Sequence, residues 1–178
     1  MSPFRKMSQA GADLNQAIGR GDRWLILINA DPDALASAMA LRRIMAYRAE
    51  TVGIAHVNEV KRPDNLAMMR FLRIPSVPFA PGMCAAYNRF AMVDSQPHHH
   101  PDFAGRHYSI VIDHHPLLPD HPCDAEYCDI RPDYGSVSSI MAEYLRGLRI
   151  RPGKLLATAL VYGIKTDTQS FERHFTDA

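Results

Sequence analysis

Four short segments of the chain concentrate carboxylate and imidazole side chains, the groups that bind metal ions or move protons. They are Asn29-Ala-Asp-Pro-Asp33, Asp94, Asp113-His-His115 and Thr166-Asp-Thr168. Several carboxylates in one pocket would repel one another, and a hard divalent cation removes that repulsion. Carboxylates mixed with imidazole suit Mn²⁺, Mg²⁺ or Fe²⁺ better than structural Zn²⁺. The residue types therefore indicate a two-metal site that activates water for attack at phosphorus.

Each of these residues also has an ordinary structural interpretation. A single Asp after a strand is commonly the cap of the following helix, and His114 or His115 alone could be a hydrogen-bonded structural histidine. The functional interpretation therefore depends on whether the fold brings the four segments together.

The elements around these segments alternate between strands and helices. Trp24 to Ile28 is a continuous apolar run, as expected for a strand buried on both faces. Ala34 to Tyr47 is rich in Ala, Leu and Met at helical spacing. Further strands are predicted at 51–57, 89–93 and 108–112, and further helices at 65–72, 136–148 and 152–164. The alternation predicts an α/β fold with an open, mostly parallel β-sheet flanked by helices on both faces.

The acidic segments follow predicted elements in a regular way. Asp31, Asp94 and Asp113 each come at the end of a predicted strand, and Asp167 comes just beyond the last predicted helix. Ligands of open α/β sheets collect outside the carboxyl ends of the strands. We therefore expect the carboxylates to share one crevice.

Bulk composition narrows the class of protein. The chain has 178 residues, 22% of them charged, and a formal net charge of +1. This charge offers no long-range field to recruit nucleic acid or an acidic membrane. No apolar stretch approaches the roughly 18 residues of a membrane span, and the three cysteines form no CxxC pair. We expect a cytoplasmic protein with reduced thiols, its cysteines partly buried.

A histidine run, His98-His-His100, lies in a polar segment that spans residues 96–106. Adjacent histidines on a loop point in different directions, which favours solvent-exposed side chains. An accessory metal site is the alternative interpretation.

At this point the segments resemble a known family. Val111-Ile-Asp-His-His-Pro116 is similar to the signature of the DHH phosphoesterase superfamily. Asn29-Ala-Asp-Pro-Asp33 resembles its first motif, Met92-Val-Asp94 its second, and Tyr162-Gly-Ile-Lys-Thr-Asp-Thr168 its fourth. The motifs occur in the family's order and cover residues 24–171, so the resemblance is more specific than a single tripeptide.

The resemblance implies two Mn²⁺ ions, with Mg²⁺ as a substitute. Asp31 would bind one ion and Asp94 would bridge both. Asp33 and Asp167 would bind the second ion. The nucleophile would be a metal-activated water molecule rather than a protein side chain.

The resemblance also separates the roles of three neighbouring residues. His114 would be a metal ligand, and His115 would donate a hydrogen bond to the scissile phosphate. Asp113 would not bind a metal ion itself but would fix the orientation of a histidine by a hydrogen bond. Three cations, Arg62, Arg131 and Lys165, are candidate phosphate contacts.

Two features depart from the family's pattern. Asn29 stands where many members have a metal-binding histidine. Asn29 either ligates one ion through its amide oxygen, which is a weaker ligand than imidazole, or lies outside the coordination sphere. In the second case a water molecule completes the site. Members also usually carry a C-terminal substrate-binding domain, which would be missing because the chain stops at Ala178. We expect an N-terminal lead-in segment at 1–22 and the DHH catalytic domain at 23–178.

Two hypotheses about function follow. The first is a phosphoesterase that hydrolyses a phosphodiester or phosphate ester of a small nucleotide or short oligonucleotide. The second is a weakly active or non-catalytic module that senses a metal or nucleotide, with Asn29 marking an incomplete first site. Expected partners are the nucleotide substrate and the missing C-terminal domain, with a homodimer as an option and no membrane.

Overall fold

The computed structural model describes residues 3–172, which form a six-stranded sheet with five α-helices. The strands are β1 (Arg23–Ile28), β2 (Thr51–His56), β3 (Ser76–Pro78), β4 (Arg89–Val93), β5 (Ile110–Asp113) and β6 (Tyr127–Ile130). The α-helices are α1 (Pro3–Gln16), α2 (Pro32–Met45), α3 (Pro63–Phe71), α4 (Val137–Gly147) and α5 (Lys154–Asp167). Two short 3₁₀ helices span Pro81–Ala86 and Pro101–Phe103.

The sheet is parallel throughout, in the order β3-β2-β1-β4-β5-β6. The chain builds outwards from β1 to β3, then returns to the other side of β1 with β4. The sheet therefore has its topological switch point between β1 and β4, where the loops after these two strands diverge and leave a crevice. The predicted open, parallel α/β sheet is confirmed.

Alternate side chains of the central strands enter two hydrophobic cores. Trp24, Ile26 and Ile28 of β1 face a large core to which all five α-helices contribute. Leu25 and Leu27 face a smaller core on the other side, where both 3₁₀ helices pack. Every β1 residue after Arg23 is buried, which explains why this strand reads as an unbroken apolar run.

The helices of the large core place the site residues. α2 packs against both α4 and α5, and α1 packs against α4. Asp31 caps the start of α2, with Pro32 in the first turn, where its missing N–H costs no hydrogen bond. Ser136 caps α4 by accepting a hydrogen bond from Ser139 N at 3.2 Å. The first turns of α2 and α4 and the last turn of α5 therefore converge at the carboxyl edge of the sheet.

The predicted elements agree with the structure except at the edge strands of the sheet and at the end of α5. The edge strands β3 and β6 were not predicted. Asp167 is the last residue of α5, so its predicted position just beyond the helix is wrong. The described part of the lead-in segment 1–22 contains α1, and residues 173–178 of the predicted domain lie outside the described residues.

The cysteines differ from the expectation of reduced thiols. Cys123 and Cys128 form a disulfide that ties the loop before β6 to the strand itself, whereas Cys84 is free. None of the helices in residues 3–172 has the length and apolar character that a membrane crossing requires.

Candidate metal centre

Three carboxylates and one imidazole meet at the carboxyl edge of the sheet. Asp94 follows β4, His114 follows β5, Asp33 lies in the first turn of α2 and Asp167 ends α5. Ligand atoms of Asp33, His114 and Asp167 lie within 4.8 Å of one another, and so do those of Asp94, His114 and His115. His114 belongs to both groups and therefore lies between them.

The carboxylate of Asp33 is almost completely buried and rests on the start of α4. Its two oxygens accept hydrogen bonds from Val137 N at 2.6 Å and Ser138 N at 2.9 Å. These N–H groups have no partner within their own helix, and the positive end of the helix dipole favours an anion there. Burial, together with the nearby charge of Asp167, nevertheless raises the pKa of Asp33 to about 6. Holding this carboxylate in place in its charged form therefore costs electrostatic free energy.

Asp94 follows β4 in a left-handed backbone conformation, with φ of 58°. Its N–H donates to the carbonyl of Ile112 at 3.0 Å, which fixes the turn against β5. Oδ1 of Asp94 is buried and has no hydrogen-bond partner within residues 3–172. Burial first, and the charge of Asp33 second, raise the pKa of Asp94 well above its ordinary value.

His114 faces two of these carboxylates with one edge of its ring. Its Nε2 lies 3.4 Å from Asp94 Oδ1 and 3.3 Å from Asp167 Oδ2. Its Nδ1 lies 2.9 Å from the carbonyl oxygen of Tyr134. A carbonyl only accepts, so Nδ1 carries the proton and a neutral ring presents the Nε2 lone pair to the carboxylates. Burial alone would lower the pKa of His114, but the nearby carboxylate of Asp94 and the Tyr134 carbonyl raise it to about 9.

This arrangement fits a divalent cation. Without one, the Nε2 lone pair would face three carboxylates, two of which are buried, and protonation is the only other way to reduce the repulsion. A metal-binding histidine usually donates its second ring N–H to a carbonyl or carboxylate, as His114 does to Tyr134. Oxygen-rich ligands with one imidazole are the set that Mn²⁺ and Mg²⁺ accept.

His115 points its ring differently from His114. Its Nδ1 donates to Asp113 Oδ1 at 2.9 Å, and about half of its side chain is exposed. Asp113 is fully buried and also accepts from Gln96 Nε2 at 2.8 Å. Although burial alone would raise the pKa of Asp113, the hydrogen bonds from His115 and Gln96 lower it overall. Asp113 thus orients His115 and leaves the Nε2 edge of the ring on the accessible side.

Gln96 was not among the predicted site residues. Its buried amide Nε2 donates to Asp113 and to the carbonyl of His115, the latter at 3.0 Å. It therefore joins the loop after β4 to the end of β5. A single glutamine carries no sequence signal of this kind, because its role depends on a contact that forms only in the folded chain.

Asn29 and Asp31 lie at the outer side of the crevice, and both are exposed. Asp31 Oδ1 accepts from Ala34 N at 2.9 Å, which leaves its second oxygen for a ligand. The charge of Asp31 contributes to the raised pKa of Asp94, so the two carboxylates are close enough to interact. Asn58 holds the chain between them by hydrogen bonds to both the N–H and the carbonyl of Ala30. Metal binding by Asn29 and Asp31 stays a prediction.

The three candidate phosphate contacts differ in their surroundings. Arg62 is exposed, pairs with Asp64 at 2.7 Å and interacts electrostatically with Asp31. Lys165 is exposed in the last turn of α5. For both, phosphate binding stays a prediction.

Arg131 is ion-paired within the fold. Its guanidinium is held by Asp129 at 2.8 Å and by Glu143 at 2.7 Å. Glu143 also accepts from the hydroxyl of Tyr134 at 2.9 Å, the residue whose carbonyl orients His114. Arg131 thus supports the loop before α4, and its contact with phosphate stays a prediction.

Gly163 in α5 allows close packing beside the centre. A Cβ at this position would lie 2.5 Å from Ser138 Oγ and 3.2 Å from both Ala36 Cβ and Asp33 Cα. α5 can therefore approach α2 and α4 only because this residue has no side chain. Because Gly163 and Asp167 lie in the same helix, this close approach also places Asp167 near Asp33.

None of the protein-family models matches the chain. It is 36% identical over 146 residues to an uncharacterized protein of Methanocaldococcus jannaschii, a match that covers 82% of this chain and 30% of that protein. The chain thus spans about a third of the length of this curated relative.

Two solved structures share the fold. The first is an exopolyphosphatase-related protein from Bacteroides fragilis, with a TM-score of 0.69 and 15% identity over 97% of this chain and 53% of that one. The second is a candidate family II inorganic pyrophosphatase from Methanococcus jannaschii, with a TM-score of 0.62 and 22% identity. That match covers 87% of this chain and 51% of the other. At these identities the likeness establishes the fold.

Proposed function

We propose that this chain is the catalytic domain of a metal-dependent phosphoesterase of the DHH superfamily. The observation that carries the proposal is the position of His114, whose Nε2 lies between Asp94 and Asp167 while Nδ1 is bonded to the Tyr134 carbonyl. The likeness in fold to proteins named for polyphosphate and pyrophosphate hydrolysis supports the same reaction class.

The residues of the centre would hold two Mn²⁺ ions. Asp33, Asp167 and His114 form one group of ligands, and Asp94 would join it to a second ion that Asp31 and either Asn29 or water complete. When bound, such ions lower the pKa of a water molecule and neutralise charge on phosphoryl oxygens. Mg²⁺ would occupy the same oxygen-rich sites.

His115 would act on the substrate rather than on the metal. Asp113 accepts a hydrogen bond from Nδ1 of His115, which keeps the orientation of the ring. The other ring edge is accessible and can donate to a non-bridging phosphate oxygen as negative charge increases there. Arg62 and Lys165 would hold a second anionic group of the substrate.

The proposed substrate is a phosphodiester or phosphate ester of a small nucleotide or short oligonucleotide. The open crevice and the near-neutral chain favour small substrates over long nucleic acid. A C-terminal substrate-binding domain, cytoplasmic location and homodimer formation belong to the same proposal.

The test is metal content together with hydrolysis. We expect elemental analysis to find two Mn²⁺ ions per chain, and Asp94→Asn to reduce this number. Hydrolysis of a dinucleotide, a 3′-phosphorylated nucleoside and pyrophosphate should require Mn²⁺ and should be lost in the same variant. A chain that binds no Mn²⁺ would contradict the proposal, whereas one ion without hydrolysis would favour a sensor module.

A further inference from the structure

Five imidazole rings form a continuous row from the surface to the metal centre. His121 stacks on His98, with ring centroids 4.4 Å apart and planes at 8°. His98 contacts His99 edge-on at 4.4 Å, and His99 contacts His115 at 5.4 Å. His115 contacts His114 at 4.6 Å. The phosphoesterase proposed above uses only the last two rings.

Two loops build this row. His98 and His99 lie in the loop after β4, whereas His115 and His121 lie in the loop after β5. The loops are neighbours because β4 and β5 pair in the sheet. Gln96 fastens them together: its side chain donates to the His115 carbonyl, and its backbone N–H donates to His99 Nδ1 at 3.2 Å.

Two rings of the row, together with Asp113, are close enough to one another to bind a metal ion. His99, Asp113 and His115 each offer a ligand atom, and these atoms lie within 4.8 Å of one another. Two ligands of one Zn²⁺ ion are at most about 4.2 Å apart, at bond lengths of roughly 2.0–2.1 Å. Zn²⁺ would take the place of the proton between His115 Nδ1 and Asp113 Oδ1, and rotation of the two exposed rings would close the remaining difference.

We propose that His99, Asp113 and His115 form a separate Zn²⁺ site beside the Mn²⁺ centre. Two imidazoles and one carboxylate are a donor set of open, three-ligand zinc sites. The main centre instead combines three carboxylates with one imidazole, a harder set that suits Mn²⁺. The difference in donors lets the same crevice distinguish two metals.

The effect of this Zn²⁺ site on hydrolysis rests on the proposed function. Zn²⁺ bound to Nδ1 of His115 would break the hydrogen bond to Asp113 and so change the orientation of the ring that would face the phosphate. Excess Zn²⁺ would therefore inhibit hydrolysis.

The test counts metal ions rather than turnover. The chain is saturated with Mn²⁺, then with Zn²⁺, dialysed and subjected to elemental analysis. We expect one more metal ion per chain in the natural sequence than in His99→Gln. His107→Gln is the control, since His107 is an exposed imidazole that lies outside the row, before β5. It should retain the additional ion.

Calorimetric titration of the Mn²⁺-loaded chain with Zn²⁺ gives the affinity. His99→Gln should weaken the additional Zn²⁺ site at least about tenfold, and melting curves of both variants check that they fold. Equal metal content in the natural chain and His99→Gln would overturn the proposal. Because Mn²⁺ content is measured first, a failed Mn²⁺ centre and a failed Zn²⁺ site give different results.

Discussion

The Nδ1 atom of His114 lies 2.9 Å from the carbonyl oxygen of Tyr134, 20 residues further along the chain. This contact joins the end of β5 to the loop that leads into α4. It determines which ring nitrogen of His114 carries the proton, and therefore which nitrogen faces Asp94 and Asp167. The neighbouring His115 uses its own Nδ1 on Asp113 instead. Two consecutive imidazoles thus have different anchors and different tasks.

The first prediction separates these tasks. His114→Ala should remove a metal ligand, so elemental analysis after dialysis should find fewer Mn²⁺ ions in this variant. His115→Ala should keep its Mn²⁺ but lose about 10²–10³-fold in the rate of hydrolysis, the magnitude of one lost transition-state donor. Equal loss of metal in both variants would contradict this division. Unchanged hydrolysis by His115→Ala would exclude this residue from the mechanism.

The second prediction concerns the stability of the metal-free chain. Because the folded-state pKa of His114 is raised to about 9 from 6.5, the protonated ring stabilises the folded chain fully below pH 6.5. This contribution is lost as the pH rises from 6.5 through 9, by at most about 1.4 kcal/mol per pH unit. Denaturant unfolding in chelator should show the decline, and His114→Gln should flatten it.

Saturating Mn²⁺ provides the contrast in the same experiment. A cation needs the unprotonated Nε2, so metal-dependent stabilisation should increase over this pH range. A metal-free chain whose free energy of unfolding rises between pH 6.5 and 9 would contradict the assigned environment of His114.

Parts of the fold follow directly from the sequence, because buried central strands are apolar throughout. β1 and β4 were predicted for this reason. The edge strands could not be found in this way: β3 has three residues and ends in Pro78, and every residue of β6 is at least partly exposed. Edge strands of this kind carry no continuous apolar run.

The site was predictable to the extent that its residues follow strand ends. Asp94, Asp113 and His114 belong to this class. The support for Asp33 does not, because Val137 and Ser138 lie 104 and 105 residues further along the chain. Arg131 was expected at a phosphate for its charge alone, whereas the fold surrounds it with two carboxylates. Contacts between distant segments decide these roles, and spacing along the chain does not encode them.

The third prediction tests the close packing at Gly163. Gly163→Ala should destabilise the chain by about 1–3 kcal/mol, because the added methyl group meets Ser138 Oγ and the backbone of Asp33. It should also weaken Mn²⁺ binding, since Asp33 must shift. Denaturant unfolding and calorimetry measure the two effects.

Gly82→Ala is the control for this substitution, since nothing lies within 4 Å of a Cβ at that position. Its free energy of unfolding should change by less than about 0.5 kcal/mol. Adding Ser138→Ala to Gly163→Ala should restore part of the lost stability by removing the closest contact. A Gly163→Ala chain as stable as the Gly82→Ala control would show that α5 can move away without cost.

The last prediction concerns Asn29, the exposed residue that directly follows β1 at the carboxyl edge of the sheet. Asn58 clamps the following residue through both backbone groups of Ala30, so a side chain at position 29 starts from a fixed backbone. If the amide of Asn29 ligates an ion, Asn29→His should tighten Mn²⁺ binding at one site by about tenfold, because imidazole is the stronger ligand. Thr51→His is the control: it adds the same imidazole at an exposed position at the amino end of β2, on the opposite edge of the sheet. Calorimetric titration of the two variants should show tighter binding only for Asn29→His, and an unchanged affinity would place Asn29 outside the coordination sphere, with water completing that site.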